Sequence, residues 1–252
     1  MIIELANNAA AYVIEGEHLK AQPRWAVHGG DLMVGPYHSK SAWYNHVWKD
    51  TIGSTGWDSS EIRFGLDDLM LQSVSFHLPP NNLTSATLPL LHSAKHSAPS
   101  TLRLLNPTSF TAAALQARWI QADGSSLACV TERALAAEHG LWLQIAQDFD
   151  LLFVDNMLSG CLLSNPTRYL VSSWEYPHPS EPDPDLATML VEYVTLTAEP
   201  YIERMEDEDP DVLRILSGLY LRLGSNTANG EQRRILRESV KDIVERFYEQ
   251  EL

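Results

Sequence analysis

LWLQIAQDFDLLFVDNMLSGCLLSNPTRYL, residues 141–170, holds the densest apolar run of the chain beside its sharpest turn signals. Short apolar runs bounded by polar turn residues read as strands, here 141–146, Asp150–Val154 and Leu158–Leu163. Asp155-Asn156 forms the turn between the last two, with Ser159-Gly160 close by. Runs this continuous in apolar residues need cover on both faces, so they belong to the middle of a sheet. Asn165-Pro166 then predicts a short helical turn, the asparagine side chain accepting from the first free amides and proline preset for the first helical position.

Strand signals continue toward the N-terminus. Residues 117–131 read as a hairpin turning on Asp123-Gly124, and 132–140 as a short helix that ends at Gly140 in a left-handed conformation. Residues 79–100 are poor in charge and rich in Ser, Pro, Asn and Thr, which reads as a long connector with at most one helical turn. Residues 1–80 read as several antiparallel strands, among them Ala11–Ile14, Leu32–Val34, Glu61–Phe64 and Leu69–Leu78. In the last, the apolar phase changes between Leu71 and Val74, which predicts a bulge near Gln72-Ser73 or two short strands.

Toward the C-terminus the composition changes at 174. A Pro-rich connector, 175–184, separates a β-rich domain, 1–174, from a helical subdomain, 185–252. Three amphipathic helices are expected there: 185–205 with a kink at Pro200, a second from Asp209-Pro210 to Gly224, and a third over 230–250. The expected class is α+β, an antiparallel-rich sheet region with a C-terminal bundle of about three helices packed on it.

The net charge of −15 argues against nucleic acid or an anionic membrane as partner and favours a basic one. Residues 175–252 carry 18 acidic and 8 basic side chains, so most of the excess lies in the helical part. Two cysteines, no basic start followed by an apolar block and no long apolar run point to a cytoplasmic, reducing setting.

Signatures of chemistry are missing. His92 and His96 are four apart, but Ser93 stands where a zinc-protease helix needs glutamate, so no metal site is expected. His28-Gly29-Gly30 has the look of an esterase oxyanion loop without a downstream GxSxG elbow, and reads as a turn. Asp148 and Asp150 could converge as paired carboxylates, although a position beside a turn favours solvent exposure. Cys129 and Cys161 read as inert small hydrophobes, and no dinucleotide or phosphate loop is present, so no cofactor is expected.

Two surface candidates remain. Residues 203–211, ERMEDEDPD, place Glu203, Glu206, Asp207, Glu208, Asp209 and Asp211 in one helix corner. They could cap the following helix, pair with the basic stripe Arg233, Arg237 and Lys241, or steer a basic protein. Four tryptophans, Trp25, Trp43, Trp48 and Trp57, lie within 33 residues, interleaved with tyrosine and histidine. Such residues pack cores, anchor partners or stack on sugars; Trp43, Trp48 and Trp57 are the candidate anchors.

The stretch Leu151–Leu170, the acidic balance and the overall organisation together resemble an immunity protein of a bacterial polymorphic-toxin system. The resemblance implies a non-catalytic inhibitor that binds a toxin domain, often a cationic nuclease or transferase, tightly and one-to-one and occludes its active site. Two alternatives stand beside it: a hydrolase whose site is assembled from dispersed histidines and carboxylates, and an aromatic-lined adaptor or carbohydrate-binding module.

Overall fold

The computed structural model describes residues 1–54, 60–83, 90–224 and 230–250, with backbone alone at 91 and 92. The fold is α+β, with helices concentrated toward the C-terminus. Its strands form two sheets.

The first sheet has nine strands: β1 (Ile2–Ala6), β2 (Ala9–Glu15), β8 (Lys95–His96), β9 (Ser100–Leu104), β10 (Ala117–Ile120), β11 (Ser126–Val130), β12 (Leu141–Ala146), β13 (Phe149–Val154) and β14 (Met157–Ser164). The order is β8-β12-β13-β14-β1-β2-β9, and the β10–β11 hairpin joins at β14. Its end strands, β8 and β9, are consecutive in the chain, so one stretch closes the sheet into a barrel-like curl. The opening stretch of sequence is its hub. β14 pairs with β13 along one edge, while β1 at Met157 and β11 over Gly160–Ser164 share the other. The Asp155-Asn156 turn has both residues at positive φ, 51° and 65°, the geometry that suits a tight hairpin.

The second sheet has the order β15-β3-β4-β7-β6-β5. Its strands are β3 (Pro23–Ala26), β4 (Asp31–Val34), β5 (Thr51–Ser54), β6 (Glu61–Gly65), β7 (Leu71–His77) and β15 (Leu170–Val171). All pairings are antiparallel except β15 with β3. Phe64 opposes Leu71 and Arg63 opposes Ser73, which leaves Gln72 as the extra residue where the bulge was expected. The bulge turns Leu71, Val74 and Phe76 all into the core.

Phe76 of one sheet stacks on Phe149 of the other, ring centroids 6.2 Å apart. Around this contact one hydrophobic core runs from Ile3 to Tyr248 and takes in both sheets and the inner faces of the C-terminal helices. A second cluster, with Trp119, Trp142, Leu152 and Leu162, lies on the outer face of the barrel. The strands 141–164 are thus buried on both faces.

Several local expectations are corrected. Residues 40–50, expected among strands, form α1 (Lys40–Asn45), continued by a π-helical turn, His46–Asp50. Ser39 caps it, its hydroxyl accepting from the Ala42 amide. Among the described residues of 79–100, α2 (Leu90–Ser93) supplies one helical turn and β8 extends the barrel. The helix expected over 132–140 is only α3 (Glu132–Leu135). Gly140 serves packing instead: a Cβ there would meet Leu90 Cδ2 at 2.6 Å. Asn165 does not cap with its side chain; it takes the left-handed conformation itself before the 3₁₀ turn Pro166–Tyr169.

The first C-terminal helix is two, α4 (Pro184–Leu196) and α5 (Tyr201–Glu206), because Pro200 has no amide to continue the ladder. α6 (Pro210–Leu223) and α7 (Gly230–Tyr248) follow. Asp183 caps α4 and also receives a bidentate ion pair from Arg233 on α7, 2.7 Å at its shortest, both side chains buried. Arg118 on β10 donates to the carbonyls of Val194 and Thr197 at the other end of α4.

Replacing Arg233 by Met removes the buried cation paired with the Asp183 carboxylate, and should lower unfolding free energy by about 3–5 kcal/mol in urea titrations. A loss below about 1 kcal/mol would show that the pair does not fasten α7 to α4.

Candidate functional site

The aromatic residues sort into a buried group and an exposed pair. Trp25 lies in the core. Trp43, half-buried, donates from Nε1 to Glu61 Oε2 at 3.1 Å and packs on Trp174 at 5.5 Å. Tyr37 bridges Trp174 and His46. Beneath them Arg24, fully buried, stacks under Tyr37 and Tyr176 and donates to the carbonyls of Gly35, Tyr37 and Trp174. Tyr176 belongs to the segment read as connector, and Trp174 is the residue just before it. Nothing in their spacing announces that they complete the N-terminal aromatic group.

The π-helical turn is held from inside. Arg63 donates through Nη2 to the carbonyls of Val47 and Thr51, and through Nε to Thr51 Oγ1 at 3.0 Å. His46 points inward, its Nε2 2.8 Å from Ser73 Oγ. Trp48 consequently points outward, 59% exposed, beside Tyr44 at 55%, ring centroids 6.4 Å apart. π-turns recur at functional sites. Trp57, the third expected anchor, lies outside the described residues.

The acidic corner separates into structural and free members. Asp209 caps α6 by accepting from the Asp211 amide and also takes Arg204 Nε, each at 2.8 Å; the Arg204 bond holds its carboxyl below the usual range. Asp211 pairs with Arg214. Glu203, Glu206, Asp207 and Glu208 are exposed and have no cationic partner among the described residues. The basic stripe does not neutralise them: Arg233 is on Asp183, Arg237 lies 4.1 Å over the Tyr220 ring, and Lys241 pairs with Glu245.

Other candidates are placed as follows. The His28-Gly29-Gly30 segment is the β3–β4 turn, with Gly30 at φ 67° and His28 Nδ1 2.7 Å from Asp242 on α7. His77 contacts Asp31 at 3.1 Å beside a cavity of about 300 Å³ lined by Ser60, Pro79 and Asn81. His92 and His96 fall on α2 and β8, so one helix does not carry both. No group of three or more metal-ligating side chains occurs among the described residues. Cys129 and Cys161 are buried opposite one another on β11 and β14, and burial pushes the Cys161 thiol up. No described helix is long and apolar enough to cross a membrane.

The carboxylate pair is not solvent-exposed as expected. Asp148 sits in the turn at φ 58° and accepts from Tyr169 Oη at 2.7 Å, while Asp150 is buried on the adjoining strand.

Comparison with protein-family models, curated protein sequences and solved structures returned no match.

Burial, reinforced by the Arg63 charge, lowers the His46 pKa from 6.5 to about 4. The folded state therefore binds this proton more weakly than the unfolded chain, so the stabilisation is full above pH 6.5 and is lost as pH falls toward 4. It amounts to at most about 3 kcal/mol. Urea unfolding from pH 7 to pH 4 should show this loss, and His46→Gln should flatten it; an unaltered slope would assign the loss to other groups.

Proposed function

We propose that this chain is a non-catalytic binding protein that neutralises a basic toxin domain by covering its active site. The observation that carries the reading is Trp48, a large apolar side chain left in solvent on a turn fixed from beneath by Arg63. A rigid indole offers contact area at little entropy cost, the property of an interface anchor. Glu203, Glu206, Asp207 and Glu208 supply a negative field for steering a cationic partner. The cytoplasm is the compartment this reading assigns, with two buried free thiols in keeping.

Tyr44 and Trp48 together also favour one second reading, a carbohydrate-stacking platform. A glycan array separates it from the first, since a toxin inhibitor shows no saturable sugar binding.

The deciding experiment co-expresses the tagged chain with the product of the adjacent reading frame. A one-to-one complex in native mass spectrometry, together with loss of that product's toxicity, is the expected result. Recovery of the chain alone, with turnover in a hydrolase screen, would sink the proposal. In the complex, Glu206, Asp207 and Glu208 changed together to Lys should slow association by about tenfold or more and flatten its salt dependence. Trp48→Ala should act on dissociation instead, by roughly 2 kcal/mol. Stopped-flow rates that ignore both changes would place the interface elsewhere.

A further inference from the structure

Asp150 stands on the outer face of the barrel, opposite Gln144 of β12 and Leu162 of β14. It is only 9% exposed, and no hydrogen-bond donor or cation among the described residues partners its carboxyl. An ionised carboxyl in such a place is costly unless a cation meets it. The buried cations differ: Arg24, Arg63 and Arg118 are bonded to carbonyls, and Arg233 to Asp183.

His96 lies opposite Trp142 in register, its ring 6.3 Å from the indole and nearly parallel to it, and is exposed on the face that carries Asp150. Trp142 beneath is fully buried. Asp148, the neighbouring acid, is occupied by Tyr169 Oη and lies 3.8 Å from Arg168. Burial raises the Asp150 pKa to about 6; the nearby His96 pulls it back and Asp148 pushes it further.

We propose that this face receives an arginine side chain of the basic partner, its guanidinium on the Asp150 carboxylate and its plane against the His96 ring. The inference rests on the partner reading above. Arginine fits better than lysine because a planar guanidinium matches both a carboxylate edge and an aromatic plane, and leaves its hydration more readily than an ammonium. Net charge of −15 supplies the complementary field.

Methylguanidinium is the probe, titrated into the wild-type chain and Asp150→Asn while the His96 and Trp142 ring signals are followed by NMR. Asparagine keeps the shape and removes the charge, so the variant should melt no lower than wild type. A saturable shift in the wild type, at least about tenfold weaker in Asp150→Asn, is expected. No saturable shift, or an equal one in the variant, overturns the proposal. Against the toxin product, Asp150→Asn should raise Kd about tenfold or more. An unchanged Kd overturns the arginine site and leaves the neutralising function standing. Probe binding without any toxin complex removes that function and identifies Asp150 as a cation site for another ligand.

Discussion

Three guanidinium groups hold together the parts of this protein that have no ladder of their own. Arg24, Arg63 and Arg118 each rise from a strand into the interior and donate to backbone carbonyls there. Arg24 binds the loop Gly35–Tyr37 to the segment after β15, Arg63 binds the π-helical turn to β5, and Arg118 binds the C-terminal end of α4 to the barrel. Burial lowers the pKa of all three. A lysine would serve poorly in place of Arg24 or Arg63, because each reaches its acceptors from more than one guanidinium nitrogen, a spread that a single ammonium lacks. The carbonyls at the end of α4 also carry the negative end of its dipole, which favours Arg118 there.

The strands of 141–164 were legible because their apolar runs and turn residues agree, and the bulge at Gln72 because the phase of Leu71 and Val74 disagrees. Local pattern ends there. That the sheet curls until β8 and β9 bridge its two ends depends on pairings between residues far apart in sequence, which no window contains. The α1 helix was missed for a different reason: its aromatic residues have high strand propensity, and what overrides that is the Ser39 cap and the internal hold of Arg63. Arginine in a strand reads as a surface residue, so the three internal arginines were invisible as architecture.

Of the candidate site, composition identified the acidic corner and the tryptophan-rich segment without dividing their members into structural and free ones. Asp209 and Asp211 look like Glu206 and Asp207 in the sequence; only the fold shows that the first two are engaged by Arg204, Arg214 and the first turn of α6. Trp43 and Trp48 are likewise five residues apart on one continuous helical segment. That spacing already sets two side chains about 140° apart around a helix, and the fold turns one indole to Glu61 and leaves the other in solvent.

Solubility explains a net negative charge but not where the charge is put. Mutual repulsion makes clustered carboxylates less favourable for the folded chain than the same number dispersed. Glu206, Asp207 and Glu208 are consecutive, and Glu208 takes a positive φ of 53° that a non-glycine residue rarely adopts. Solubility would be served equally by distributing these acids over α7, where Arg234 and Lys241 pair with their own helical neighbours. On the proposed reading, a corner that keeps its carboxylates unneutralised beside α6 and α7, which pair theirs, serves to steer a cationic surface, and the Asp150 carboxyl, with no cation bonded to it among the described residues, repeats the pattern inside the fold.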